Sequence, residues 1–231
     1  MEKKNQIGTL NEKPLHAALK SYLAEPGDLI EETIDGYVID IVQNGLLVEI
    51  QTGNFSSIKR KLIDLSDNHQ IKLVYPITYE KWIIKLPENG DGQLQRRKSP
   101  KRGRFVDVFN GLVSFPQLVK SKNFSLEILM IQEEEIRRYV GERLWRNRGW
   151  VVEERRLLAV IDKLVIDSPE NVMNLIPSDL PDPFTTLELA RSMDIPRWLA
   201  QKTAYCLNQI GLSKFIGRRG RSKLYEKVGH Y

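Results

Sequence analysis

The chain has 231 residues, 41% of them apolar, and carries 35 Lys plus Arg against 30 Asp plus Glu for a formal net charge of +5. That is enough apolar material for a sizeable core, and the single cysteine excludes an internal disulfide framework or a cysteine-based zinc site. No apolar run approaches the ~18 residues of a membrane span and Met1-Glu-Lys-Lys is no signal peptide, so the expected setting is soluble and cytoplasmic.

Residues 9–24 open with two candidate caps, Thr9 and Asn11. Apolar positions Leu15, Leu19, Tyr22 and Leu23 predict an amphipathic helix ending before Pro26-Gly27. Two hairpin signals follow. Asp35-Gly36 and Asn44-Gly45 each favour a two-residue type I′ turn between β-branched, apolar runs. The second turn sets Gln43 against Leu46, Val42 against Leu47, Ile41 against Val48 and Asp40 against Glu49. Alternation then puts Ile39, Ile41, Val48 and Ile50 on one apolar face. The first turn sets Ile34 against Tyr37 and Glu31 against Asp40. Glu31, Asp40 and Glu49 would therefore line up across three strands, with Gln51 one pleat further on; a one-residue slip would bring in Glu32 instead.

Directly opposed carboxylates repel each other. Such pairs persist where a cation bridges them or a proton is shared. The alternative is a half-exposed sheet on which both face solvent and pair with Lys or Arg. Three acidic oxygen donors in a row suit a hard divalent ion such as Mg²⁺.

Thr52-Gly-Asn54 breaks the strand, and Asn54 or Ser56 can cap a helix over 55–67. Phe55, Ile58, Leu62 and Leu65 form its buried stripe, with Lys59, Arg60 and Lys61 around the flanks. Strands are expected at 71–75, stopping before Pro76, and at 80–86. The helical crossover allows 71–75 to run parallel to 46–51 in one mixed sheet.

An acid on one strand, a tight turn, Glu49-x-Gln51 on the next strand, then a helix and a further strand, resembles the PD-(D/E)xK nuclease superfamily with its restriction-endonuclease-like fold. The resemblance spans about the first 85 residues, with motif support over 28–76. It implies a metal-dependent DNA endonuclease that hydrolyses phosphodiester bonds. Asp40 and Glu49, assisted by Glu31, would hold Mg²⁺ (or Mn²⁺). Gln51 stands where the family has lysine and would position the water, with Lys61 or Lys59 supplying the positive charge. Ile39 stands where many members have proline. The glutamine keeps open a non-catalytic DNA-binding regulator, or an assembly subunit, on an inactivated scaffold.

The 87–104 stretch changes character: Pro87-Glu-Asn-Gly-Asp-Gly is a loop, and 95–104 hold six basic residues in ten. Arg96, Arg97, Lys98, Lys101 and Arg102 are candidates for phosphate contacts; the alternative is a solvated mobile loop. Val106, Phe109, Leu112 and Val113 predict a helix, 125–131 a buried strand and 133–146 a further helix. Trp145 and Trp150 follow, as core residues or as base-stacking platforms.

Prolines 169, 177, 181 and 183 mark 168–183 as a linker. Thr185-Thr-Leu-Glu188 is a capping box opening a helix, Pro196 starts a second helix over 197–210, and Gly211 stops it. A basic turn at 217–222 joins two short strands. This pattern resembles a winged helix-turn-helix over 184–228. It implies a second helix in the major groove, with Arg197, Gln201, Lys202 and Asn208 as groove-facing candidates, and a wing whose Arg218, Arg219 and Arg221 neutralise phosphates. His16, His69 and His230 are scattered and suggest no histidine-ligated metal.

The expected class is therefore α/β: a restriction-endonuclease-like mixed sheet flanked by helices over 1–167, the linker, and a small winged helix domain over 184–231. The expected partner is DNA, with no membrane. A homodimer or a larger defence or repair assembly is compatible with it.

Overall fold

Two turns organise the first half of the fold. Asp35 and Asn44 take φ values of 49° and 48°, and Gly36 and Gly45 take 81° and 88°, the consecutive left-handed residues of a type I′ turn. They join β1 (Leu29–Ile34), β2 (Tyr37–Gln43) and β3 (Leu46–Ile50) into an antiparallel meander. Ile34 pairs with Tyr37, Gln43 with Leu46, Val42 with Leu47 and Ile41 with Val48, as the turn chemistry predicts. A computed structural model describes residues 13–87, 94–141 and 149–229. Within it, α1 (Pro14–Leu23) precedes the meander, and a 3₁₀ turn at Phe55–Ser57 and α2 (Lys59–Ser66) follow. Thr9 and Asn11 lie outside the described residues. Asn54 caps the 3₁₀ turn by accepting from the Ser56 amide at 3.1 Å.

After α2 the chain enters β4 (Ile71–Lys85), parallel to β3. The sheet then extends through β6 (Phe124–Tyr139), parallel to β4, and β7 (Trp150–Ile166), antiparallel to β6. Its order is β1-β2-β3-β4-β6-β7, with β5 (Gln95–Lys98) antiparallel on β4. Between β5 and β6 lie a 3₁₀ turn at Phe105–Val108, α3 (Phe109–Leu112) and another 3₁₀ turn at Pro116–Lys120.

Several expectations give way here. Pro76 does not end its strand, and 71–75 and 80–86 are one strand. The proline lies past the last β3 pair, Ile50 with Val74, and before the first β5 pair, Trp82 with Lys98, so the edge it faces has no ladder to break. Residues 133–139 are not helical either. Glu133, Glu134 and Glu135 sit in β6, between β4 and β7, where cations from both neighbours meet them. Residues 142–148, Trp145 included, lie outside the described residues. The basic segment at 95–98 is a strand rather than a loop.

The two sheet faces bury different clusters. α1 lays Leu15 and Leu19 on Ile41, Val48, Ile50, Val74, Leu129 and Ile131. The opposite face holds the larger core, in which Ile39, Leu47, Phe55 and Leu62 join Phe109, Phe115 and Phe124. Ile39 thus parts from Ile41, against strict alternation. The ladders lapse at the intervening position: neither Glu31 nor Asp40 has a paired partner, and Glu31 takes φ 56°.

The large core continues without a break into the C-terminal residues. The 168–183 stretch carries α4 (Pro169–Met173) and buries Val172, Ile176 and Leu180. Beyond it come β8 (Phe184–Thr185), α5 (Thr186–Ser192), α6 (Arg197–Ile210), β9 (Ser213–Arg219) and β10 (Ser222–Lys227). The three strands form a separate sheet in the order β8-β10-β9. The capping box forms: Thr185 Oγ1 accepts from the Glu188 amide at 3.2 Å and Glu188 accepts from the Thr185 amide at 2.7 Å. Gly211 ends α6 at φ 95°.

Candidate active site

Where β2 and β3 part, Asp40 and Glu49 are brought together by backbone bonds that replace the missing ladder pair. The Asp40 carboxylate accepts from the Ile50 amide at 2.8 Å, and the Asp40 backbone amide acts on the Glu49 carboxyl to favour its charged form. Glu49 is 5% exposed and receives Lys61 from α2, which also donates to the Val38 carbonyl. His16 Nε2 lies 3.2 Å from Asp40 Oδ2. Lys20 Nζ sits 2.7 Å from Glu31 and 4.0 Å from Asp40. The Lys20 ammonium therefore faces both Glu31 and Asp40.

The two acids differ in proton affinity. Burial pushes both up. For Glu49 the Asp40 charge adds to burial and outweighs Lys61, so its carboxyl is held above the ordinary range. For Asp40 the hydrogen bond and charge of His16, the Ile50 amide and Lys20 together overcome burial, so it is held below that range. One acid retains its proton more readily beside one that loses it.

Asp40 opens onto a cleft of about 550 Å³ shared with His16, Lys20, Glu31, Gln51 and Ser57. Gln51 is engaged at the rim: its amide donates to Asn54 O at 3.2 Å and Ser57 Oγ at 3.0 Å and accepts from the Gly53 amide at 3.0 Å. Lys59 is exposed on α2. The row of three carboxylates expected from register is thus a close pair with Glu31 set apart behind Lys20. Among the described residues no group of three or more His, Cys, Asp or Glu side chains is placed to hold a metal. Two carboxylates nevertheless fit Mg²⁺, which keeps several waters and commonly takes only one or two carboxylates plus substrate phosphate.

The expected nucleic-acid residues separate into two groups. Arg96 pairs with Glu134 at 2.9 Å, Lys98 with Glu80 at 2.7 Å and Arg102 with Glu80 at 3.2 Å, and the first two also lie over Trp82. Arg97 and Lys101 have no acidic partner among the described residues and line a second hollow of about 600 Å³ with Lys81 and Arg137. On α6, Arg197 and Gln201 are exposed, and Arg197 donates to Ser222 Oγ at 3.3 Å. Lys202 is bound to Asn110, and Asn208 donates to the Ser213 carbonyl at 3.0 Å, so neither is free to read a groove. Arg218 and Arg221 are exposed at the β9–β10 turn, while Arg219 pairs with Glu188 at 2.9 Å.

His16 and Lys20 enter the site unforeseen. Their i, i+4 spacing puts them on one side of α1, a signal readable in sequence once that helix is known to cross the acids. Arg155 and Trp198 also go unassigned by sequence. Arg155 Nη2 lies 2.6 Å from Glu133, whose side chain is fully buried. Trp198, at the start of α6, is 52% exposed.

The architecture is that of a mixed α/β protein, with a large mixed sheet flanked by helices. The chain belongs to the DUF8091 family, a domain of unknown function whose model matches residues 13–167. It is also similar to an uncharacterised protein of Treponema pallidum (strain Nichols), 30% identical over 224 residues that cover 96% of this chain and 87% of the relative. No solved structure matches. No helix among the described residues is long and apolar enough to cross a membrane.

Proposed function

We propose that the protein is a metal-dependent DNA endonuclease of the PD-(D/E)xK kind, with its C-terminal helices and hairpin serving as a winged helix that binds DNA. The observation that carries this reading is Asp40, open to a cleft at the point where β2 and β3 diverge, with the buried Glu49 carboxyl behind it. The order of helix, three-strand meander, helix and parallel strand around that pair supports it.

Asp40 and Glu49 would hold Mg²⁺ (or Mn²⁺), with Glu31 acting only through Lys20. The bound ion supplies Lewis-acid polarisation of a phosphoryl oxygen and lowers the pKa of water. Asp40 would be the more acidic of the two ligands, and Glu49, raised by burial and the Asp40 charge, the less acidic. Lys61 then has a second use: freed from Glu49, its ammonium can counter negative charge on the transferring phosphoryl group. Gln51 orders the 52–57 rim, and its amide oxygen, which accepts from the Gly53 amide, keeps a second acceptor site for the attacking water.

Cleavage of labelled linear, nicked and branched DNA with Mg²⁺ or Mn²⁺ tests this directly. Metal-dependent cutting by the wild type, abolished by Asp40→Ala and by Glu49→Ala, is the expected result. A second reading rests on Gln51, whose amide is already taken up by Asn54 and Ser57: a non-catalytic DNA-binding regulator or assembly subunit on the same scaffold. Absence of cutting, with salt-sensitive DNA binding that survives both substitutions and falls in Arg218→Glu and Arg221→Glu, favours that reading. Point variants serve better than removal of 184–229, which would expose the shared core.

A further inference from the structure

Three hollows follow one another across the surface. The carboxylate cleft shares Thr52 with a middle hollow of about 370 Å³, which is lined by Tyr75, Arg155 and Trp198. The middle hollow shares Thr78, Gly103 and Asp107 with the basic hollow of about 600 Å³. A chain laid along this path would meet the acids first, then an exposed indole, then five cations, Lys81, Arg97, Lys101, Arg102 and Arg137, opposed at the lining by Asp107 alone.

The parts are held in place. Arg155 is fixed by Glu133 and reaches Thr78 Oγ1 at 3.3 Å and the carbonyl of Thr52, the residue that the first two hollows share, at 3.5 Å. The basic segment is tied to β4 by the Ser99 amide on Lys81 O at 2.8 Å and the Gly103 amide on Thr78 O at 2.9 Å. Lys81 is held by Glu133 and Glu135 and Arg137 by Glu135, which leaves Arg97 and Lys101 as the cations without an acidic partner among the described residues. Lys202 lies 5.4 Å from the Trp198 ring centre and is bound to Asn110, so the start of α6 turns toward this path.

We infer that this path is the track for one strand of nucleic acid, with a base stacked on Trp198 and the phosphates beyond it carried by Arg97 and Lys101. An exposed aromatic ring between an anchored arginine and a basic hollow is the arrangement that binds single strands, because every base offers a π-face and the backbone follows the cations. The inference rests on the proposed nuclease reading and specifies its substrate: a strand separated from its complement where it crosses α6, so that α6 contributes its first turn rather than a groove-reading face.

The test is fluorescence anisotropy in EDTA with labelled oligothymidylate, oligouridylate and a DNA duplex, so that binding is read without hydrolysis. The wild type should bind single strands more tightly than the duplex, and the two labelled strands separate DNA from RNA preference. Trp198→Ala should weaken single-strand binding about tenfold while Trp198→Phe keeps most of it. Lys101→Ala should lower the slope of log affinity against log salt by about 0.7. Both side chains are exposed, and an unchanged unfolding temperature confirms that the variants fold. Equal binding of duplex and single strand, or unaltered binding in both Trp198→Ala and Lys101→Ala, overturns the track. Track-dependent binding without any metal-dependent cutting overturns only the nuclease reading; cutting that needs Asp40 and Glu49 alongside binding indifferent to Trp198 and Lys101 overturns only the track.

Discussion

Replacing Gly103 by alanine should destabilise the protein although the residue lies in a loop. A Cβ built there would fall 2.6 Å from Ile77 Cγ2, 2.6 Å from the Thr78 carbonyl oxygen and 3.2 Å from the Thr78 carbonyl carbon. Comfortable carbon contacts begin near 3.5 Å, so the loop must retreat by roughly 1 Å. Two of the three atoms belong to the β4 backbone, which β6 holds from its other side, so the strand cannot give way. The retreat stretches the 2.9 Å bond from the Gly103 amide to Thr78 O. Overpacking of this kind costs about 1–3 kcal/mol and the weakened hydrogen bond about 0.5–1.5 kcal/mol, together about 2–4 kcal/mol. For a chain of this size each kcal/mol lowers the melting temperature by about 2–4 °C, so thermal unfolding by circular dichroism should fall by roughly 5–15 °C. Gly53→Ala is the control: its Cβ would meet only Gln51 Oε1, at 3.5 Å, and stability should change by less than about 0.5 kcal/mol. A Gly103→Ala protein that melts with the wild type, or a Gly53→Ala protein equally destabilised, would show that the basic segment does not sit this close to β4.

Phe55 is fully buried, stacked on Phe115 at 5.2 Å and meeting Tyr75 edge-on at 4.6 Å. Phe55→Ala should therefore cost about 3–5 kcal/mol in urea unfolding, and a loss below 1 kcal/mol would contradict the packing of the larger core. Glu188 is held below the ordinary carboxylate range by the Thr185 amide and hydroxyl, with Arg219 adding its charge. Because the folded pKa is depressed, its contribution is present above the unfolded value and disappears as pH falls through the folded one. Glu188→Gln should accordingly narrow the stability gap to wild type on acidification, and a gap independent of pH would remove the capping carboxylate from the account.

Much of the fold was legible because it depends on neighbours in the chain. Asp35-Gly36 and Asn44-Gly45 determine their turns through backbone angles that few residues accept, and the turns in turn determine strand register. Thr185 and Glu188 close their capping box within four residues, and Gly211 stops α6 by its own φ. The same counting sets Asp40 opposite Glu49, but the β2–β3 ladder ends at Ile41 and Val48, one position before that pair.

Long-range partners decided the rest. The 133–139 stretch has the composition of a helix, yet it is a strand because Lys81, Arg96 and Arg155, distant in sequence, neutralise its glutamates once β4 and β7 flank it and β5 joins β4. Pro76 was tolerated because β3 had already ended, which no local pattern reveals. Glu31 was separated from the acid pair by Lys20, whose position depends on how α1 crosses the sheet. Turn chemistry acts over two to four residues and is written in the sequence. The balance of charge around a buried carboxylate, and the path that joins three hollows through Thr52 and Gly103, arise only when separate segments are packed together.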